Sequence, residues 1–208
     1  MLLSREINDF YREKLTLHGV GAKGVGWKDS AAQEVRFLQL IRIIQPDETF
    51  SINDIGCGTG DLIRLLASRF GSLYSYAGYD SLEEMIVQAR LQFAKQNSVR
   101  FLTITDYDQV ELADYSVASG IFNVRNHISD SDWNKYILET ITTLSRSSRK
   151  GFAFNALTRY SDQEKIVPEL FYSDPLYLFD YCKKHFSQNV ALLHDYGIHD
   201  FTILVRKG

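Results

Sequence analysis

The stretch Asn53-Asp54-Ile55-Gly56-Cys57-Gly58-Thr59-Gly60-Asp61-Leu62 sets glycines at alternate positions between the apolar run Phe50-Ser51-Ile52 and the leucine-rich run Ile63 to Phe70. A strand that enters such a turn and leaves it as a helix brings bare backbone N–H groups and the positive helix end to the carboxyl edge of a sheet. The same glycines also serve a plain tight turn. Spacing narrows the ligand. A dinucleotide fingerprint, G-x-G-x-x-G, would put its third glycine at position 61, where Asp61 stands. The chain reads Asp-x-Gly-x-Gly-x-Gly from Asp54 to Gly60 instead. A carboxylate at the strand end repels a pyrophosphate and suits a cation such as an ammonium group, which places an NAD-dependent oxidoreductase last among the readings.

Periodicity supports a fold around that turn. Runs at 50–55, 74–79, 99–104, 115–120 and 151–155 read as strands, and segments at about 60–70, 82–96 and 131–146 as helices. Leu82, Met85, Ile86, Ala89 and Phe93 share one helix face; Trp133, Tyr136, Ile137, Thr140, Ile141 and Leu144 share another. Alternating strands and single-faced helices imply a parallel sheet covered on both sides. Beyond Phe154, Asp174-Pro175 reads as an N-cap and first-turn proline, and 190–194 with 201–205 as a closing hairpin.

Residues 1–45 read as a helical cap on the α/β core, 46–208. Ile7, Phe10, Tyr11 and Leu15 recur at helical spacing, as do Phe37, Leu40, Ile41 and Ile44, and the joint from His18 to Gly26 is rich in glycine. Ser30 and Gln33 have capping-box spacing, with Pro46 past the helix end. A chain of 208 residues, 45% apolar, forms one domain with an ample core. A net charge of −3, from 23 basic and 26 acidic side chains without long runs, gives no general attraction to nucleic acid or membrane. Cys57 and Cys182 match neither a disulfide framework nor a metal spacing, and no leader or long apolar span stands near Met1. A cytoplasmic protein without a metal is expected; the oligomeric state stays open.

Asp80 closes the second strand. An acid there can accept hydrogen bonds from both hydroxyls of a ribose, and it also suits the N-terminus of the helix that follows. Asp106, after the third strand, can accept from the exocyclic amino group of adenine or serve as a turn residue.

Together, the glycine turn, the acids closing the second and third strands and the terminal hairpin resemble a class I S-adenosylmethionine-dependent methyltransferase over about residues 50–208. "FNVRNH", "GFAFNALT" and "HDFTILVRK" further resemble small bacterial methyltransferase-like proteins. The resemblance implies a Rossmann-like fold: a seven-stranded, mostly parallel sheet with an antiparallel last strand and helices on both faces. It implies S-adenosyl-L-methionine as cofactor and S-adenosyl-L-homocysteine as product. Asp54, Gly56, Cys57, Gly58 and Gly60 would surround the methionine part, and Asp80 would hold the ribose. Ser81 and Met85 would flank the adenosine, and Asp106 and Tyr107 the adenine. Gly120, Ile121 and Phe122 would pass beneath the sulfur.

Methyl transfer from a sulfonium is an in-line displacement that needs alignment and exclusion of water more than acid-base machinery. After the fourth strand, Asn123 and Arg125 are candidates to orient a small-molecule acceptor, and His127 is a candidate base or an exposed loop histidine. The Pro-Pro-Tyr type of motif that some N-methyltransferases carry here is missing, which argues against nucleic-acid bases and glutamine as acceptors. In many relatives the N-terminal segment forms a lid, which would bring Tyr11, His18 and Trp27 near the acceptor. Asn155 and Tyr160 would border the same edge. A scaffold that keeps the fold without turnover is the alternative.

Overall fold

The protein is described by a computed structural model covering residues 5–45, 49–162, 164 and 166–208; Pro46 lies outside the described residues. These contain the strands β1 (Phe50–Ile55), β2 (Tyr74–Asp80), β3 (Val99–Thr103), β4 (Ala113–Ala118), β5 (Ser148–Leu157), β6 (Asn189–Leu193) and β7 (Asp200–Arg206). One seven-stranded sheet runs in the order β3-β2-β1-β4-β5-β7-β6. The first five strands are parallel, and β7 lies antiparallel between β5 and β6, so the closing hairpin expected from sequence is present. From β1 the chain builds outward to β2 and β3, then returns to add β4 and β5 on the other side. The crevice at the carboxyl ends of β1 and β4 is therefore the switch point where ligands of open α/β sheets bind.

The helices are α1 (Arg5–His18), α2 (Ser30–Leu40), α3 (Leu62–Phe70), α4 (Glu83–Gln92), α5 (Asp130–Arg146) and α6 (Pro175–His185). Alternation along the strands divides the core. Phe152 and Phe154 join a cluster with Trp133, Ile137 and Leu178 of α5 and α6, whereas Ala153 joins Phe37, Leu62, Leu66 and Ile86 of α2, α3 and α4. Local chemistry starts the helices. The Ser129 side chain accepts from Asp132 N–H ahead of α5, and Asp174 accepts from Leu176 and Tyr177 N–H ahead of α6, with Pro175 in the first turn. Among the described residues no helix is long and apolar enough to cross a membrane.

Boundaries depart from the sequence reading in instructive places. The fourth strand ends at Ala118, because Gly120 turns the chain at φ 74° and cannot continue a strand. The fifth is longer than expected, since its antiparallel partner continues the ladder from Gly151 to Leu157. The capping box at Ser30 is a misreading: Asp29 is the N-cap and accepts from Ala32 N–H at 2.8 Å. Gln33 is thereby released from a capping role, and it is buried.

Between α1 and α2 a 3-10 turn, Ala22–Val25, is framed by Gly19, Gly21 and Gly26, all with positive φ. Val25 and Trp27 from this segment join Asn8 and Tyr11 of α1 over the switch point.

Candidate functional site

One cavity opens where the ends of β1, β2 and β4 meet α1, α2 and the 3-10 turn. Its floor begins at Asp54, which is 4% exposed and accepts a 2.7 Å hydrogen bond at Oδ2 from the Tyr76 hydroxyl. Burial raises the carboxyl pKa to about 7; the Tyr76 hydrogen bond pulls against that rise, and the charges of Asp80 and Asp61 add to it. Near neutral pH this acid is held at the edge of ionisation, and a cation beside it would complete its charge.

Asp80 is braced from two sides. Its Oδ2 accepts from Gly58 N–H at 2.9 Å and its Oδ1 from Leu82 N–H at 3.0 Å, joining the glycine turn to the start of α4. Burial raises its pKa and these backbone donors lower it. Each carboxylate oxygen keeps a further lone pair for a ligand hydroxyl.

The turn between these acids is stitched to β2, with Gly56 and Cys57 N–H both donating to Tyr79 C=O at 2.7 and 3.1 Å. Gly56 and Gly58 have φ of 74° and 53°, a conformation that strains other residues. Space demands glycine as well. A Cβ on Gly56 would overlap Ile121, and one on Gly58 would lie 2.8 Å from Val25.

Gly120 forms the opposite wall. Its N–H donates to Asn155 Oδ1 at 2.8 Å, Asn155 Nδ2 donates to Ser119 Oγ at 3.0 Å, and a Cβ at Gly120 would overlap the Trp27 ring. Above lie Trp27, Phe37 and Gln33, a residue 7% exposed whose side-chain amide has no hydrogen-bond partner among the described residues. At the far end, burial and then the charge of Asp80 hold the Tyr11 phenol well above its ordinary pKa. Burial acts likewise on Tyr107, which is hydrogen-bonded to Thr140 at 2.7 Å, and on Tyr136. These phenols keep their protons. Among the described lining residues there is no Lys, Arg or His, so the cavity presents two carboxylates and neutral donors.

Residues 52–147 match the family profile described as a methyltransferase domain. A Mycobacterium tuberculosis protein, Rv1506c, whose name assigns it provisionally to the methyltransferases, is 48% identical over 167 residues, 80% of this chain and 99% of its own. The chain belongs to the methyltransferase family. Solved structures share the fold. Magnesium protoporphyrin IX methyltransferase of Synechocystis PCC 6803, crystallised with SAM, superposes with TM-score 0.65 at 14% identity, covering 100% of this chain and 99% of that one. A SAM-dependent methyltransferase of Aquifex aeolicus gives 0.60 at 16% identity, covering 86% and 93%.

Of the expected cofactor residues, Asp54, Gly56, Cys57, Gly58, Asp80, Ser81, Met85, Tyr107, Gly120 and Ile121 line this methyltransferase's cavity. The other three do not. Gly60 faces the core, where a Cβ would meet the rings of Phe101 at 2.8 Å and Phe93 at 3.1 Å. Asp106 is an exposed cap: it accepts from Asp108 N–H at the 3-10 turn Tyr107–Gln109. Phe122 is fully buried between Tyr136 and Phe154.

The acceptor candidates divide more sharply. Tyr11 and Trp27 line the cavity, while His18 is exposed at the end of α1 and Tyr160 is 62% exposed beside His194. Asn123 and Asn155 are structural: Asn123 Oδ1 accepts from Leu157 N–H, and Asn155 anchors Gly120. Arg125 turns to Asp130 and the Pro168 carbonyl, with Phe171 under its guanidinium, and His127 is exposed. The predicted orienting and base group is therefore not assembled at the cavity, because the turn after Gly120 directs these side chains into the loop and away from the edge.

Sequence reasoning missed Asn8, Gln33, Phe37, Ser119 and Tyr136 as lining residues. Gln33 carried a readable signal, a polar residue on the apolar side of α2, which the false capping box concealed. Asn8 had none, since its role comes from α1 crossing to Ser81, whose hydroxyl donates to Asn8 Oδ1 at 2.8 Å. Among the described residues, no group of His, Cys, Asp and Glu could hold a metal.

Proposed function

We propose that this methyltransferase moves the methyl group of S-adenosylmethionine to a small-molecule acceptor. The observation that carries the reading is the cavity itself: Asp54 and Asp80 stand in one enclosure, bridged by glycines whose side-chain space is already filled, with no cationic side chain among the described lining residues. Its residues fit the cofactor. Asp54 suits the ammonium group and Asp80 the ribose diol, with Leu82, Met85 and Ile104 as apolar walls for a purine. With no Arg or Lys there, the carboxylate of the methionine part must meet neutral donors, and the unpaired Gln33 amide and Ser119 hydroxyl serve.

When bound, the cofactor supplies an activated methyl group on a sulfonium. The chain's own task is alignment and exclusion of water: Gly120 and Ile121 shape the floor, Trp27 and Phe37 cover it, and the phenols donate hydrogen bonds without acting as bases. An acceptor that is already nucleophilic, or that loses its proton to water, matches such a site. Calorimetry tests the assignment. S-adenosylmethionine and S-adenosylhomocysteine should both bind, NAD should not, and labelled cofactor should pass label to a component of a metabolite extract. Tighter binding of NAD than of either adenosyl ligand would overturn the reading.

A further inference from the structure

Arg36, on α2, is a cationic side chain buried at this edge without lining the cavity. It is 8% exposed, its Nε donates to Asp200 Oδ1 at 2.8 Å, its Nη2 to Asp200 Oδ2, and its Nη1 to the Ala32 carbonyl at 2.7 Å. Asp200 has a fully buried side chain and opens β7 opposite Leu157 of β5. The guanidinium lies over the Trp27 ring, 4.2 Å from its centroid. That ring in turn rests on Gly120, whose N–H is fixed by Asn155, also of β5.

Stability alone does not explain such a pair. Burying two charges costs about as much as their attraction returns, and apolar replacements of similar volume are often neutral. What a bidentate pair does provide is direction. The planar fork can meet the carboxylate in one orientation, and a guanidinium so fixed presents a flat cationic face to the indole. A lysine would keep the charge and lose both properties.

We propose that the Arg36–Asp200 pair is a positioning device that holds the Trp27 indole against Gly120 and so sets the wall facing the transferred methyl group. This rests on the methyltransferase reading, in which Gly120 underlies the sulfur. Ile7 in the core, the Asn8–Ser81 hydrogen bond and the Arg12–Glu84 pair at 2.6 Å tie down α1, whereas the Arg36–Asp200 pair lies directly behind the Trp27 ring and references that side chain to β7. Arg36 and Asp200 act through Trp27 and touch no reacting atom.

The test uses S-adenosylhomocysteine and sinefungin, an analogue that carries an amine where the methyl group would be. In wild type, Asp200→Asn, Arg36→Lys and Trp27→Ala, calorimetry gives the ratio of the two affinities. Acrylamide quenching reports the exposure of Trp27, with Trp133 as the only other tryptophan. Asp200→Asn and Arg36→Lys should each raise Trp27 quenching severalfold and change the sinefungin ratio about tenfold, or about 1.4 kcal/mol, with S-adenosylhomocysteine affinity held within about twofold. In a Trp27→Ala background Asp200→Asn should change nothing further. If either charge variant fails to fold, Arg36→Met with Asp200→Leu refills the space and should show the same quenching and ratio. Unchanged quenching, or a ratio that still shifts without Trp27, overturns the proposal. Failure of wild type to bind either ligand would instead overturn the cofactor reading beneath it.

Discussion

The Tyr76 hydroxyl donates to Asp54 Oδ2 across 2.7 Å, tying the middle of β2 to the end of β1 at a carboxylate that burial holds near neutrality. Because folding raises this pKa from the ordinary carboxylate range to about 7, the folded chain keeps a proton between about pH 4 and 7 that the unfolded chain has released. Stability of the ligand-free protein therefore falls as pH rises through that window. Asp54→Asn should remove the loss, stabilising the protein by on the order of 4 kcal/mol at pH 8 and hardly at all at pH 4. Urea unfolding at the two pH values measures this.

The same carboxyl links binding to pH. Below about 7 it must lose its proton to pair with an ammonium group, so affinity for S-adenosylmethionine should fall as pH drops, by at most about tenfold per unit. Tyr76→Phe removes a bond that favours the ionised form and should move the midpoint upward. Calorimetry in buffers of different ionisation enthalpy would detect the released proton; a flat affinity between pH 5.5 and 8 would remove Asp54 from the site.

Asp80 makes two internal bonds besides any to a ribose, so its variants separate brace from ligand contact. Asp80→Ala should weaken S-adenosylmethionine and S-adenosylhomocysteine together, by about a hundredfold or more, since Gly58 and Leu82 N–H also lose their acceptor. Asp80→Asn can retain one brace and should lose on the order of tenfold. Equal affinity in wild type and Asp80→Ala would refute the ribose assignment.

How much of the cavity's lining can be read in the sequence depends on the range of each signal. Asp54, Gly56, Gly58 and Asp80 were readable because strand end, turn and helix start lie within one local βαβ pattern, where backbone geometry dictates residue type. Gly60 shows the limit: its neighbours in sequence do not reveal that Phe93 and Phe101, from α4 and β3, close over it. Asn123, Arg125 and His127 lie off the cavity for a related reason. Chemistry placed them near an edge, but the left-handed turns at Gly120 and Asn126 and the bonds of Arg125 and Asn126 N–H to the Glu169 carbonyl decide where they point. The parallel sheet followed from alternation, while the lining from α1 and α2 required a docking that no local pattern encodes.

Those two kinds of glycine predict opposite phenotypes. Gly60→Ala pushes a methyl into Phe101 at φ 83° and should destabilise by about 1 to 3 kcal/mol, with cofactor affinity of the folded protein nearly unchanged. Gly58→Ala meets Val25, part of the covering segment, at 2.8 Å and should weaken cofactor binding more than it lowers melting temperature. Thermal melts paired with calorimetry distinguish the two.

Gln33 offers the most selective test of how the methionine part is held. If its cavity-lining amide donates to the carboxylate of that part, Gln33→Leu should weaken S-adenosylhomocysteine by about tenfold, the worth of one hydrogen bond to a charged group. Methylthioadenosine has the same nucleoside and no amino acid, so its affinity should not fall. Stability should hold, because the amide makes no hydrogen bond to lose and leucine fills a similar volume. Equal losses for both ligands would instead mean that Gln33 only shapes α2, and the carboxylate would then be left to Ser119 and the backbone of the turn.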